Sequence, residues 1–194
     1  MIKVSGTSLP GVVLIEPAVF DDPRGFFYES WSESGYAKVG IPRTFVQDSI
    51  SRSTHGTLRG LHLQHPYGQG KLVHVPVGEV FDVVVDVRIG SPDFGKWAGV
   101  ELSERNRHQL YIPPGFAHGF CVVSDTALFV YKCTDYYHPE TEITVAWNDP
   151  GLRVRWPIAT PTLSKKDRAG RTLGELEDKL PCYQPSKPIV CIDE

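Results

Sequence analysis

Two histidines, an arginine and a lysine recur in short motifs set among strand-like runs. The motifs are Arg59-Gly60-Leu61-His62-Leu63-Gln64, Gln69-Gly70-Lys71 and Pro113-Pro114-Gly115-Phe116-Ala117-His118-Gly119-Phe120. Imidazole, guanidinium and ammonium groups gathered in one interior would hold an anionic ligand and move protons. A β-barrel offers such an interior, because several strands line it at once. Tyr131, in Ala127-Leu128-Phe129-Val130-Tyr131-Lys132-Cys133-Thr134, and Asp167, in Leu163-Ser164-Lys165-Lys166-Asp167, are candidate partners. Each has a plainer reading when taken alone. A strand histidine is more often a satisfied structural residue, and Tyr131 reads as a core tyrosine with a bonded hydroxyl. Asp167 reads as a solvated charge near a helix start, where a carboxylate suits the dipole. The company these residues keep shifts the balance toward a site.

Strict alternation puts His62 with Leu58, Gly60 and Gln64 and turns Arg59 and His65 the other way. For Arg59 and His62 to share a pocket the strand must bulge, and Gly60 is where a bulge costs least. The Pro-x-Gly-x-x-His run ending at His118 resembles the second motif of the cupin superfamily, whose histidine often binds metal with others from a His-x-His motif. That first motif is absent here: Leu61-His62-Leu63 offers one histidine, and His65 has the wrong phase. Three or four converging ligands would be needed, so no metal is expected.

The elements that must carry these residues are short. Gly and Pro are frequent and evenly spread, which punctuates strands better than helices. Strands are expected at Val12 to Ile15, Gly25 to Trp31, Leu72 to Val75, Glu79 to Val87, Ala98 to Leu102 and Gln109 to Ile112. Others follow at His118 to Val123, Thr126 to Thr134, Ile143 to Trp147 and Val154 to Trp156. Asp21 to Gly25 is a turn, and Ser124-Asp125 reads as the tight turn of a hairpin. In Glu79 to Val87, alternation sorts Phe81, Val83, Val85 and Val87 from Val80, Asp82, Val84 and Asp86. Aspartates on an otherwise apolar face mark it as more than plain core. Helix is expected at Ser34 to Val39, ending before Pro42. A second is expected from Ser164, a good N-cap, to Leu180, weakened by Gly170 and Gly174 and stopped by Pro181. Many short strands with turn signals argue an all-β sandwich or barrel.

At 194 residues with a net charge of −3, the chain suits one well-buried core and disfavours general nucleic-acid binding. No apolar run approaches membrane-spanning length and the start lacks a signal-peptide core, so a soluble, cytoplasmic protein is expected. Cys121, Cys133, Cys182 and Cys191 show no CxxC spacing and read as structural thiols.

Further motifs, in order along the chain, are Arg24-Gly25-Phe26-Phe27-Tyr28-Glu29, Phe45-Val46-Gln47-Asp48, Gly78-Glu79-Val80-Phe81-Asp82-Val83, Gly90-Ser91-Pro92, Tyr131 to Tyr137 and Trp147-Asn148-Asp149-Pro150. Together with those above, from about Gly11 to Asp167, the chain resembles the dTDP-4-dehydrorhamnose 3,5-epimerase family of deoxysugar-nucleotide epimerases. The resemblance implies a cupin-like jelly-roll β-barrel with short peripheral helices near the C-terminus. It also implies a homodimer, a dTDP-sugar substrate and no cofactor or metal. It casts His62 as general base, Asp167 as its paired carboxylate and Tyr131 as general acid. His118, with Asp82 behind it, and Lys71 line the sugar site. Arg24, Glu29, Gln47, Arg59, Glu142 and Lys166 match nucleotide- or diphosphate-contacting positions, with Asp48 and Ser49 beside Gln47, and Tyr137 matches the thymine-stacking one. Early strands cross to the partner subunit in the family, so Arg24 and Glu29 are expected to serve the neighbouring site. The epimerase domain is expected over residues 1–181, with 182–194 a tail. Leu63 replaces a common aromatic residue, Ser49 stands where Asn is frequent, and His65-Pro66-Tyr67-Gly68 reads as an unfamiliar insert; these bear on fine substrate preference. Rival readings are a metal-dependent cupin enzyme and a non-catalytic sugar-nucleotide module, which the pairing of His62 with Tyr131 disfavours. One inverted centre against two stays open.

Overall fold

Runs of Val, Ile, Phe and Tyr cut short by Gly, Pro and Asp favour strands that end before they can extend far. The computed structural model, which describes residues 2–41 and 44–185, builds them into β1 (Lys3–Gly6), β2 (Val13–Glu16), β3 (Val19–Asp22) and β4 (Gly25–Tyr28). After α1 (Glu33–Lys38) come β5 (Gln47–Thr54), β6 (Leu58–Gln64), β7 (Lys71–Val77), β8 (Glu79–Asp86) and β9 (Trp97–Ser103). The last strands are β10 (Gln109–Ile112), β11 (Phe116–Val122), β12 (Thr126–Cys133) and β13 (Glu142–Thr144), followed by α2 (Lys165–Arg168). One six-stranded sheet runs β1-β2-β10-β7-β12-β5 and one five-stranded sheet runs β13-β6-β11-β8-β9. This is the expected cupin-like jelly roll. Among the described residues β3 and β4 pair only with each other.

The alternation in β8 holds. Val80 and Val84 join the apolar cluster between the sheets, with Val73, Phe120 and Phe129. Val83, Val85 and Val87 face outward beneath Leu152, Leu173, Leu176 and Leu180 from the C-terminal segment. A third cluster places Tyr36 and Val39 of α1 and its end over Val13, Ile15 and Tyr111.

Three expectations need correction, and one strand was missed. Ser124-Asp125 does not close a hairpin: β11 pairs with β6 and β8, whereas β12 pairs with β5 and β7, so the turn passes from one sheet to the other. Val154 to Trp156 forms no strand; Trp156 instead donates its indole N–H to the Trp147 carbonyl at 2.8 Å. The helix from Ser164 to Leu180 shortens to α2 and two 3₁₀ turns, Leu173–Glu175 and Glu177–Lys179. Between them Arg171 bridges to Val145, and the Leu173 N–H goes to Asp149 Oδ2 at 2.7 Å, so hydrogen bonds to distant segments replace helical ones. β5 was not foreseen because its inward residues, Gln47, Ser49, Ser51 and Ser53, carry no apolar signal.

Cys121 and Cys133 are buried and unbridged, and Cys182 is exposed. Of the expected tail, residues 186–194, with Cys191, lie outside the described residues, as does Pro42. Among the described residues no helix is long and apolar enough to cross a membrane.

Candidate active site

Gly60 and Gly119 touch where β6 crosses β11. A Cβ on Gly60 would lie 2.5 Å from the Gly119 Cα, so both positions exclude a side chain. At this contact β6 gains one residue over β11: His62 pairs with His118 and Arg59 with Phe120. The anticipated bulge therefore rotates Arg59 onto the same face as His62. Both open into a cavity of about 510 Å³ between the sheets.

Each sheet contributes a wall. β6 and β11 bring Arg59, His62, His118 and Phe120; β5, β7 and β12 bring Gln47, Ser49, Ser51, Lys71, Phe129 and Tyr131. The rings of Phe120 and Phe129 stack at 4.0 Å between centroids and form an apolar floor. Tyr137, Glu142, Ser164, Lys166 and Asp167 complete the lining.

Asp167 reaches this wall because the segment before α2 is tied to β6. Leu58 donates its N–H to the Thr162 carbonyl, and Thr162 donates to Gly56. Ser164 caps α2, accepting the Asp167 N–H and donating its hydroxyl to Asp167 Oδ2 at 2.6 Å. The remaining carboxylate oxygen meets His62 Nε2 at 2.6 Å. Asp167 is thus buried and bonded, not a solvated charge. Burial alone would raise its carboxyl, but the hydrogen bonds from His62 and Ser164 outweigh that and bring it down to about 2. Burial lowers the pKa of His62; the Asp167 bond opposes this, and Lys166 and Lys71 reinforce it. The balance of these effects favours the neutral imidazole. With Nε2–H given to Asp167, Nδ1 keeps the free lone pair.

The second imidazole is anchored alike. His118 Nε2 lies 2.9 and 3.1 Å from the two oxygens of Asp82, which is fully buried. Burial lowers the pKa of Lys71. Among the described residues neither Lys71 nor Arg59 forms an ion pair; Arg59 is steadied by Ser53 Oγ at 3.0 Å. Cations left without carboxylates in a cavity suit an anionic ligand. At the rim, Glu142 takes a hydrogen bond from Lys166 at 2.8 Å and one from the Tyr137 hydroxyl at 3.0 Å. Tyr137 donates its N–H to Gln47 Oε1, and Gln47 Nε2 donates to Ser49. Among the described residues no three His, Cys, Asp or Glu side chains converge as a metal site.

Three expected positions stand apart from the cavity. Asp48 points to the outer face of β5 and pairs with Lys132 at 2.8 Å. Arg24, on the β3–β4 hairpin, is exposed and pairs with Asp22; Glu29 is exposed just beyond. Ser51 and the Phe120–Phe129 floor were missed, although the period-two series Gln47, Ser49, Ser51 would have revealed the first. The Ser51 hydroxyl is buried, lines the cavity and has no partner among the described residues.

Fold and site together define a cupin-like jelly roll whose cavity brings an imidazole–carboxylate pair and cations without carboxylate partners to one place. Residues 6–175 match the profile described as dTDP-4-dehydrorhamnose 3,5-epimerase. The chain is 58% identical over 177 residues to the dTDP-4-dehydrorhamnose 3,5-epimerase of Neisseria gonorrhoeae, spanning 91% of this chain and 54% of that protein. To the enzyme of the same name from Pseudomonas aeruginosa it is 50% identical over 178 residues, 91% of this chain and 98% of the other. The crystal structure of dTDP-6-deoxy-D-glucose-3,5-epimerase from Legionella pneumophila, in complex with dTDP-4-keto-L-rhamnose, superposes with a TM-score of 0.93 at 50% identity, over 95% of this chain and 100% of that one. The chain belongs to the dTDP-4-dehydrorhamnose 3,5-epimerase family.

Proposed function

We propose that this protein epimerises dTDP-4-dehydro-6-deoxy-D-glucose at C3 and C5, giving dTDP-4-dehydro-L-rhamnose. The observation that carries the reading is the His62–Asp167 pair at 2.6 Å, its carboxylate buried and its imidazole open to the cavity, on one sheet's wall with Tyr131 and Lys71 on the other. A C4 ketone acidifies the protons on C3 and C5, provided the enolate is stabilised. The neutral His62 imidazole takes the proton, and Asp167 steadies the imidazolium that results. Lys71, with His118 held by Asp82, supports the negative charge that develops on the C4 oxygen. Inversion requires the returning proton to reach the opposite face. A phenol on the other sheet, Tyr131, suits that role; it then regains a proton from solvent while the His62 imidazolium releases one, which resets both groups.

Arg59 and Lys166 hold the diphosphate, where a planar guanidinium makes two parallel hydrogen bonds. Tyr137 stacks on the base and Gln47 and Glu142 position it. A second copy of the chain supplies Arg24 and Glu29. What supports the dimer is the β3–β4 hairpin, where the cross-strand pair Phe20 and Phe27 stands on one face at 65% and 68% exposure, an apolar pair that a second copy would cover.

Incubation with dTDP-4-keto-6-deoxyglucose in deuterated water, followed by NMR, tests the reading. Deuterium at both C3 and C5 in the inverted product is expected. Label at one centre would make this a single-centre epimerase, and no exchange at either would overturn the proposal.

A further inference from the structure

The connection His65-Pro66-Tyr67-Gly68, between β6 and β7, takes no part in the chemistry above. Its Tyr67 nevertheless adopts φ 65°, a left-handed conformation uncommon for a bulky residue. Such backbones persist where their surroundings hold them. Two contacts hold this one. The Tyr67 ring stacks on His138 at 4.5 Å between centroids and 27° between planes. Its carbonyl accepts a hydrogen bond from Gln64 Nε2 at 2.8 Å.

Gln64 lies two residues beyond His62 on β6 and is 5% exposed. The same Nε2 donates to the Tyr136 carbonyl at 3.1 Å, and Oε1 accepts the His138 N–H at 2.9 Å. One buried amide therefore grips the backbone on both sides of Tyr137. Gln69 adds a bond to the Asp135 carbonyl at 2.9 Å. Tyr137, 49% exposed, stands at the cavity rim on a loop tied to the β6–β7 connection.

We propose that Gln64 and Tyr67 are positioning residues for Tyr137, setting affinity for the nucleotide while leaving proton transfer untouched. The proposal rests on the reading above, in which Tyr137 receives the base. A loop held in place before binding loses little freedom when an aromatic ring stacks on it, whereas a released loop must be ordered by the ligand.

Calorimetric titration with dTDP tests this, together with turnover at saturating sugar nucleotide. Tyr67→Ala, an exposed change that folding should tolerate, should weaken dTDP binding roughly threefold to tenfold, the worth of ordering one or two side chains. Turnover at saturation should stay within about twofold, because no proton-transfer group moves. Tyr67→Phe keeps the stacked ring and should restore affinity. Gln64→Leu should weaken binding at least as much as Tyr67→Ala. In a Tyr137→Ala background, Tyr67→Ala should cost nothing more, since its effect passes through Tyr137. Full affinity in Tyr67→Ala, or an equal loss in both backgrounds, would overturn the proposal while leaving the nucleotide assignment in place. Unchanged affinity in Tyr137→Ala alone would instead remove the assignment beneath it.

Discussion

Asp167→Asn keeps the shape of the side chain and removes its charge. The carboxylate receives His62 Nε2 at 2.6 Å and the Ser164 hydroxyl at 2.6 Å, and its pKa is about 2. Against an ordinary aspartate near 3.9, that depression contributes roughly 2 to 3 kcal/mol of stability at neutral pH. A depressed carboxyl contributes fully above its unfolded pKa and loses its contribution as pH falls through the folded value. The variant should therefore be less stable at pH 7 by about that amount, with the gap closing between about pH 4 and pH 2. Turnover depends on the imidazolium formed when His62 takes a proton. An amide replaces a charge-assisted hydrogen bond with a neutral one, a loss of roughly 1.5 to 2.5 kcal/mol, or about tenfold to seventyfold in kcat.

The pH profile provides a second check. Asp167 raises the pKa of His62 against burial, so its neutralisation should move the acid limb of kcat/KM to lower pH even as the maximum falls. Turnover would be followed by NMR of product and solvent exchange, and dTDP affinity by calorimetry, which should be nearly unchanged. Turnover within threefold of native, an acid limb displaced upward, or binding lost in step with turnover would refute the reasoning.

His62→Ala should lower turnover roughly a hundredfold to ten-thousandfold, the usual worth of a positioned general base, with folding retained; near-native turnover by NMR assay would remove His62 from the chemistry. Tyr131→Phe should still exchange solvent deuterium into the sugar while inverted product falls sharply; joint loss of both would make Tyr131 part of enolate formation. Arg59→Lys keeps the charge but loses the guanidinium fork, so calorimetry should show weaker dTDP binding; unaltered binding would place the anion elsewhere.

Much of the barrel was legible along the chain. Gln109 to Ile112 coincides with β10, and the sorting of Val80, Asp82 and Val84 from Phe81, Val83 and Val85 survives unchanged. Gly60 was recognisable as the point where β6 must slip phase. β5 was hidden because strand signals are apolar, and its inward face serves the cavity with Gln and Ser. The helical spacing of Leu173, Leu176 and Leu180 was real, but it reflects three residues reaching one sheet from short turns. Periodicity reports which side a residue faces, and an interrupted segment can satisfy it as well as a helix.

By itself the sequence determined which residues could do the chemistry and which side of each strand they leave from, because alternation and turn preference are local properties of the backbone. Tertiary structure alone decided which of them meet. Asp167 became a buried partner of His62 across a separation of 105 positions only because Gly56 and Leu58 hold the Thr162 segment against β6. Ser124-Asp125 passes between sheets because the strands on either side find partners elsewhere in the chain. Asp48 leaves the cavity for the same reason: which neighbour a side chain meets is set by the packing of distant segments.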